Sequence, residues 1–472
     1  MNKIREYLKI KNLWVLLFAV CFISVPLALM PKGSVLAIAL FAAVLFFVNK
    51  FEIGHFSVFL FLIALALRIG VVIAVPTPPV SDFEVLLGAS QQMIAGKGDY
   101  INTSYFQAWP YQIGFAFFQS LLLRIWNDVL FLKILNSVLA AATCVLVYKI
   151  ACEFASDKAS QCAALIYCFL PFPFFYVTVL SNQFVSSFLI YLGLYILISE
   201  KIKINEHLKY LIFGVLLAIA NLLRPESIIP LFATVLFLVI SLKKDNLKRN
   251  LLNILILLVV YYGTFKLFEF LFAVTGVSPL GLGNNDPLWK FVAGFNHSTH
   301  GQYSGNDWEL LKTTSAMDLI KSRVFVPISE LISLFIEKMK IFWCGGGVSW
   351  SFTAFYKEGL PFLGATLRIV DDVALAELTS KWLMVISYFL LALGAIKCFK
   401  NRCLNSKVLL IINQVFVTFG VYLLIEVQPR YIYHVQVSTL IIAAIGIGVI
   451  IDGAKKILDK IKKTDNSKKE SE

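Results

Sequence analysis

The feature that most constrains this chain is a succession of long apolar runs separated by short clusters of lysine and arginine. About 20 apolar residues at ~1.5 Å rise suffice to cross the ~30 Å hydrocarbon layer of a bilayer. Lipid offers the backbone no hydrogen-bond partner, so each such run is read as a helix. Runs at 13–30, 34–49, 56–75, 129–150, 161–180, 183–199, 207–223, 227–242, 250–273, 378–397, 407–425 and 432–452 predict twelve spans. Composition agrees. Of the 472 residues, 59% are hydrophobic and only 15% charged, against about 25% charged in soluble domains. An ordinary cytosolic enzyme, a disordered chain and a secreted disulfide scaffold are all excluded. The eight cysteines show no C-x-x-C spacing, so they support neither a disulfide framework nor a zinc site. No small-residue cleavage site follows the first apolar run, which is read as retained.

The net charge of +13 suits loops facing anionic lipid better than nucleic acid. Lys3, Arg5, Lys9 and Lys11 lie at the start of the chain, and Lys455, Lys456, Lys460, Lys462 and Lys463 at its end. Lys201, Lys203 and Lys209, then Lys243, Lys244, Lys248 and Arg249, then Lys397, Lys400, Arg402 and Lys407 mark basic loops between spans. Twelve spans put all of these, and both termini, in the cytosol. That parity holds only if the apolar residues 110–126 do not cross. They are read as a helix at the outer interface, where Trp109, Tyr111 and Trp126 have the half-wet depth that aromatic rings prefer. Two long loops, 76–128 and 274–377, then lie outside the cell membrane. Long loops of this kind carry function.

The first outer loop opens PTPPVSDFEVLLGASQQMIAGKGDY. Its prolines stop the preceding span. Phe83, Leu86, Leu87, Ser90 and Ile94 then share one helical face, so an amphipathic helix begins at Asp82 and ends near Gly96. Ser81 and Glu84 have capping-box spacing. Asp82 is therefore either a cap or a base, and the two roles are compatible. Arg68 lies ~10 Å inside the third span, where a charge is costly and demands a partner or a wet cavity. In NLLRPES, Pro225 leaves Arg224 at the outer end of a span with Glu226 beside it; in EVQPRYIYH, Pro429 does the same for Arg430 and Tyr431. Each is either a simple turn or an anion site. Together they bring one carboxylate and two guanidinium groups to one face, which suits proton abstraction beside a lipid phosphate. The second loop holds FNHSTHGQYSGNDWE. Its Asn296, His300 and Tyr303 offer the neutral hydrogen bonds a polyhydroxylated ligand takes, although a polar loop without ligand fits equally well. Residues 326–344, with Lys338, Lys340 and Trp343, predict a second interfacial helix. Glu84, Trp109, Tyr111, Lys340 and Tyr431 are further candidates for contact with substrate. No ligand set for a metal stands out, which leaves a cofactor unassigned.

PTPPVSDF with Ala89 and Gly96, WPYQIGFAFFQSLL, Leu135-Asn136, LPFPFFYVTVLSNQ, LLRPESIIPL and EVQPRY resemble the multi-span glycosyltransferases of the GT-C superfold. These include the protein O-mannosyltransferase and aminoarabinose-transferase-like families. The resemblance implies an all-α polytopic bundle of about 12 helices, with two long extracytoplasmic loops carrying interfacial helices. It implies a hairpin added before the common core (1–55), a catalytic transmembrane module (56–273), a second outer loop (274–377), final helices (378–454) and a basic cytosolic tail (455–472). It also implies a plasma-membrane enzyme that moves a sugar from a polyprenyl phosphate to a glycan, lipid or protein outside. By motif position Asp82 is the catalytic base, while Arg224 and Arg430, with Arg68, hold the donor phosphate. One departure is Ser181-Asn182-Gln183, where many relatives carry an acid. A polysaccharide polymerase or ligase, and a flippase of lipid-linked glycans, are the alternative readings.

Overall fold

The computed structural model describes residues 35–279, 281–343, 346–355, 360–362, 365–367, 369–400 and 406–469. The fold is helical, with one short antiparallel hairpin, Leu360–Phe362 against Ala365–Leu367. Among the described residues, seven helices are long and apolar enough to cross a membrane: Phe56–Ala74, Val129–Ala151, Glu206–Leu223, Lys244–Val274, Asp372–Phe399, Lys407–Leu424 and Pro429–Ile457. The chain is thus a multi-pass membrane protein, as expected; the described residues account for seven full-length spans, or eight with one bent pair, and the count of twelve is not confirmed. The run expected at 13–30 lies outside the described residues. Those expected at 34–49, 183–199 and 227–242 are shorter apolar helices, Val35–Lys50, Gln183–Ile198 and Ile228–Ile240. A 13-residue helix covers only ~20 Å.

The run expected at 161–180 is broken. Asp157–Phe169 and Pro171–Thr178 meet at a bend of 57°, because Pro171 and Pro173 withhold two amide donors. The break frees the Cys168 carbonyl, and Arg68 Nη2 donates to it at 3.2 Å. The last helix continues unbroken over Tyr433–Lys469, into the segment read as a basic tail.

Bonds at the helix ends sort the bundle into two poles. At one, Lys407 reaches Glu153 (3.0 Å) and Glu200 (2.9 Å), and Ser199 donates to Glu153 at 2.8 Å. At the other, Lys133 donates to the Thr77 carbonyl at 2.6 Å, and Asn182 to that of Leu223 at 3.0 Å. Helix Gln183–Ile198 runs from the second pole to the first. The chain enters the interfacial helix, Ile113–Leu123, from the pole of Thr77 and leaves it for Val129, at the same pole. With 11 residues it does not cross. Its Gly114 permits close approach, for a Cβ there would lie 2.0 Å from the Leu222 carbonyl oxygen. The second interfacial helix, Ile328–Trp343, buries Leu334, Lys338, Phe342 and Trp343 and exposes Ile328 and Ile332.

Candidate active site

The loop pole of the bundle gathers Asp82, Arg224, Arg430 and Tyr431 from segments up to 348 residues apart. Asp82 opens the helix Asp82–Ile94 directly after the prolines. Ser81 makes no side-chain cap, so the capping-box reading fails. Instead Ser81 has φ 56°, a backbone state that costs a non-glycine residue about 1–3 kcal/mol. The Asp82 side chain is 43% exposed, whereas that of Arg430 is 8% exposed, and Arg430 Nη2 donates to Asp82 Oδ2 at 3.2 Å. The guanidinium sits over Trp350 (4.5 Å to the ring centroid), Phe83 (5.1 Å) and Tyr431 (5.8 Å). Its Nε and Nη1 are buried without a hydrogen-bond partner among the described residues. A buried charged donor left unsatisfied is costly, so this group is built to receive an acceptor.

The loop carrying Trp350 is pinned from below. Glu377 accepts from the amides of Gly347 (3.0 Å) and Val348 (2.9 Å). Gly347 has φ 68°, and a Cβ there would press within 3.3 Å of Trp350 and Phe172. Ser351 completes the tie, accepting from Thr77 Oγ1 at 2.5 Å.

Arg224 follows the end of helix Glu206–Leu223. It pairs with Glu226, donates to Asn182 Oδ1 at 2.8 Å and lies over Tyr431 at 5.5 Å. The Arg224 and Glu226 side chains are only 16% and 9% exposed, so this is not the exposed turn that sequence allows. Burial would raise the Glu226 carboxyl; the Arg224 charge, then His434 at 3.4 Å, outweigh it and hold the pKa at about 2. The neutral Ser181-Asn182-Gln183 turn serves both arginines. Asn182 holds Arg224, and Gln183 Nε2 donates to the Arg430 carbonyl at 2.7 Å. A third cation joins them. Lys290 pairs with Glu426 and lies over Tyr431 at 5.4 Å.

Tyr105 and Tyr111 line the same place. Burial, then the Asp82 charge, push the Tyr105 phenol well above its ordinary range, and its hydroxyl is buried without a partner among the described residues. Tyr111 is raised by burial against the opposing charges of Lys290 and Arg224. Trp109 packs edge-on to Tyr105 at 5.2 Å.

The remaining sequence candidates lie elsewhere. Arg68 is fully buried in its span, on the Cys168 carbonyl and over Phe174 at 5.8 Å. Its bonds are to protein, and it closes the helix break. Glu84 points to solvent. Asn296 is consumed by Asp307 (3.0 Å) and by the Ser298 amide (3.0 Å) and hydroxyl (2.7 Å). Lys340 is exposed and paired with Glu337 at 2.6 Å. His300 and Tyr303 are exposed on the second loop. Sequence reasoning missed Lys290, Glu426, Tyr105 and Trp350. Only Glu426 carried a signal, as the first residue of EVQPRY. Among the described residues no group of three His, Cys, Asp or Glu side chains is placed to hold a metal ion.

Residues 110–263 match the family model of dolichyl-phosphate-mannose-protein mannosyltransferases. That segment contains most of WPYQIGFAFFQSLL and all of LPFPFFYVTVLSNQ and LLRPESIIPL, three of the motifs that carried the resemblance to the GT-C superfold; Asp82 and EVQPRY lie outside it. Among solved structures, the chain is similar to the archaeal oligosaccharyltransferase AglB from Archaeoglobus fulgidus, in complex with an inhibitory peptide and a dolichol-phosphate. Identity is 12% and the TM-score 0.46, over 86% of this chain and 52% of that one. It is also similar to ArnT from Cupriavidus metallidurans bound to undecaprenyl phosphate, at 12% identity and TM-score 0.36, over 84% of this chain and 79% of that one. The chain thus spans about half the length of AglB. No curated protein matches it.

Proposed function

We propose that the protein is a membrane glycosyltransferase that moves a sugar from a polyprenyl phosphate to a hydroxyl acceptor on the extracytoplasmic face. The observation that carries this reading is the Asp82–Arg430 pair. A half-open carboxylate stands 3.2 Å from a buried guanidinium that keeps two free, desolvated nitrogens. The family match over 110–263 supports the same chemistry.

In the reaction, the acceptor oxygen attacks the anomeric carbon as the bond from that carbon to the phosphate oxygen breaks. The acceptor proton passes to Asp82, whose exposed side admits the hydroxyl. The electron pair of the broken bond leaves with the polyprenyl phosphate. Arg430 Nε and Nη1, with the Arg224 guanidinium nearby, take up the charge that grows on the departing phosphate. Donors fixed before the reaction and shielded from water stabilise such charge by several kcal/mol. One displacement inverts the anomeric centre. An apolar crevice between the interfacial helix and helix Val129–Ala151, lined by Phe118, Leu122, Leu135 and Leu139, ends at Leu180 and Val185. Leu180 and Val185 flank the Asn182 that holds Arg224.

The test uses the full chain in nanodiscs with an undecaprenyl-phosphate monosaccharide, reading released undecaprenyl phosphate and glycosylated acceptor. Asp82→Asn is expected to lower the rate by at least about 100-fold, the usual reach of general-base catalysis. A wild-type rate in that variant removes the base. Turnover of only an oligosaccharide pyrophosphate donor replaces this reading with that of a polysaccharide ligase.

A further inference from the structure

Beyond the carboxylate, a chain of aromatic rings leads outward. Tyr105 meets Trp109 at 5.2 Å, Trp109 meets Trp308 at 5.8 Å, Trp308 stacks on Trp289 at 4.1 Å and 14°, and Trp289 meets Tyr303 at 5.8 Å. The five rings come from three segments, 105–109, 289 and 303–308, held together by contacts between them. Trp289 is 3% exposed and backs Trp308. Helix Gly305–Leu311, which bears Trp308, is anchored by fully buried Asp307. That carboxylate accepts from Arg323 at 2.6 Å and Asn296 at 3.0 Å. Trp289 adjoins Lys290, whose backbone carbonyl takes the Glu426 amide at 2.7 Å and whose ammonium pairs with Glu426. The strip is thereby tied to the turn that carries Arg430. Asn285 ties it to the Trp109 segment, donating to the Gln107 carbonyl at 2.7 Å.

The outer end of the strip is open, with Tyr303 53% exposed and Trp109 and Trp308 half-buried. The inner end is Tyr105, whose buried hydroxyl has no partner and faces the Asp82 charge. The charges on the 289–312 part of the strip are already paired. The charged residues from 289 to 312 are Lys290, Asp307, Glu309 and Lys312, and they pair with Glu426, Arg323 and each other. What remains are ring faces, a phenol at each end and neutral groups such as Gln302 and Asn306. Over 289–312 a phospholipid headgroup or an acidic or basic peptide finds no unpaired lysine, arginine, aspartate or glutamate among the described residues. A pyranose fits, because its C–H faces lie on the negative faces of aromatic rings while its hydroxyls bond to neutral groups.

Given the transferase reading above, we infer that this aromatic strip seats the acceptor, and that the acceptor is a neutral glycan chain whose attacking hydroxyl is delivered past Tyr105 to Asp82. Tyr105 is then a positioning residue for that hydroxyl.

The test reads binding without any donor. Saturation-transfer NMR is recorded on the full chain in nanodiscs with neutral gluco-, manno- and galacto-oligosaccharides. At least one should receive saturation along several consecutive rings. Tyr303→Ala, an exposed site that leaves the fold intact, should weaken that binding by about tenfold, equivalent to ~1.4 kcal/mol. Trp308→Ala should abolish it and Trp308→Phe restore part of it. No saturation with any of the three families overturns the inference, as does unchanged binding in Tyr303→Ala and Trp308→Ala. A donor that is never consumed, with glycan binding intact, instead removes the transferase reading and leaves the strip standing.

Discussion

Arg430 is the side chain on which the proposed chemistry of this pole turns. Its planar fork is gripped between Trp350, Phe83 and Tyr431 and points one nitrogen at Asp82, with the others free. A lysine carries the same charge but neither the fork nor the stacking plane. Arg430→Lys is therefore expected to weaken binding of free undecaprenyl phosphate by about tenfold or more, or ~1.4 kcal/mol, measured by titration in nanodiscs. An unchanged affinity would place the phosphate elsewhere. Asp82, Arg224 and Arg430 were legible in the sequence because a charge beside a proline at the end of an apolar run has few places to go. Arg68 was equally visible as a costly charge, yet its use was not, since the carbonyl it satisfies is freed by a helix break 100 residues away. Lys290, Tyr105 and Trp350 left no local mark. Their roles arise from contacts between segments that periodicity and spacing do not connect.

At the scale of elements, helix Ile113–Leu123 is too short to cross, in keeping with its reading as a non-crossing segment, and its packing depends on one missing Cβ. Gly114→Ala would set a methyl 2.0 Å from the Leu222 carbonyl, two residues before Arg224. Overpacking of this kind costs about 1–3 kcal/mol. The variant is expected to insert yet lower the thermal unfolding midpoint and the transfer rate together. The second interfacial helix was also legible, but not the work of its buried lysine. Lys338 donates to the carbonyls of Gly294 (2.8 Å) and Leu423 (2.7 Å), joining the second loop to the helix that leads into Glu426. Burial lowers its pKa to about 7, against about 10.4 in an unfolded chain. Between these values the unfolded chain binds more protons than the folded one, so Lys338 makes stability rise with pH across that window. The neutral amine still has two hydrogens for its two carbonyls. The rise in unfolding midpoint between about pH 7 and 9 should thus be smaller in Lys338→Met than in the wild type. The broken pair Asp157–Phe169 and Pro171–Thr178 was not read correctly, although both prolines were in view. Apolar content over 161–180 masked the loss of two backbone donors.

At the scale of the whole molecule, function depends on which pole faces outward. The two poles are joined by helix Gln183–Ile198, whose 16 residues cover ~24 Å, most of a bilayer's hydrocarbon. One pole holds Asp82, Asn182, Arg224 and Arg430. The other holds Glu153, Ser199, Glu200 and Lys407, and the basic stretches Lys201–Lys209 and Lys397–Lys407 open there. Loops rich in lysine and arginine stay in the cytosol, which under the proposed function directs the carboxylate pole outward, toward the proposed glycan acceptor. Glu84 and Glu200 are exposed at opposite poles, the latter 84% so, and neither is used by the site. In a cysteine-free background, a membrane-impermeant maleimide added to intact cells is expected to label Glu84→Cys. Glu200→Cys should react only after the cells are opened. The opposite pattern would put Asp82 in the cytosol, separated by the full bilayer from any extracytoplasmic acceptor, and both the transfer reaction and the aromatic strip would then have to work on cytosolic substrates.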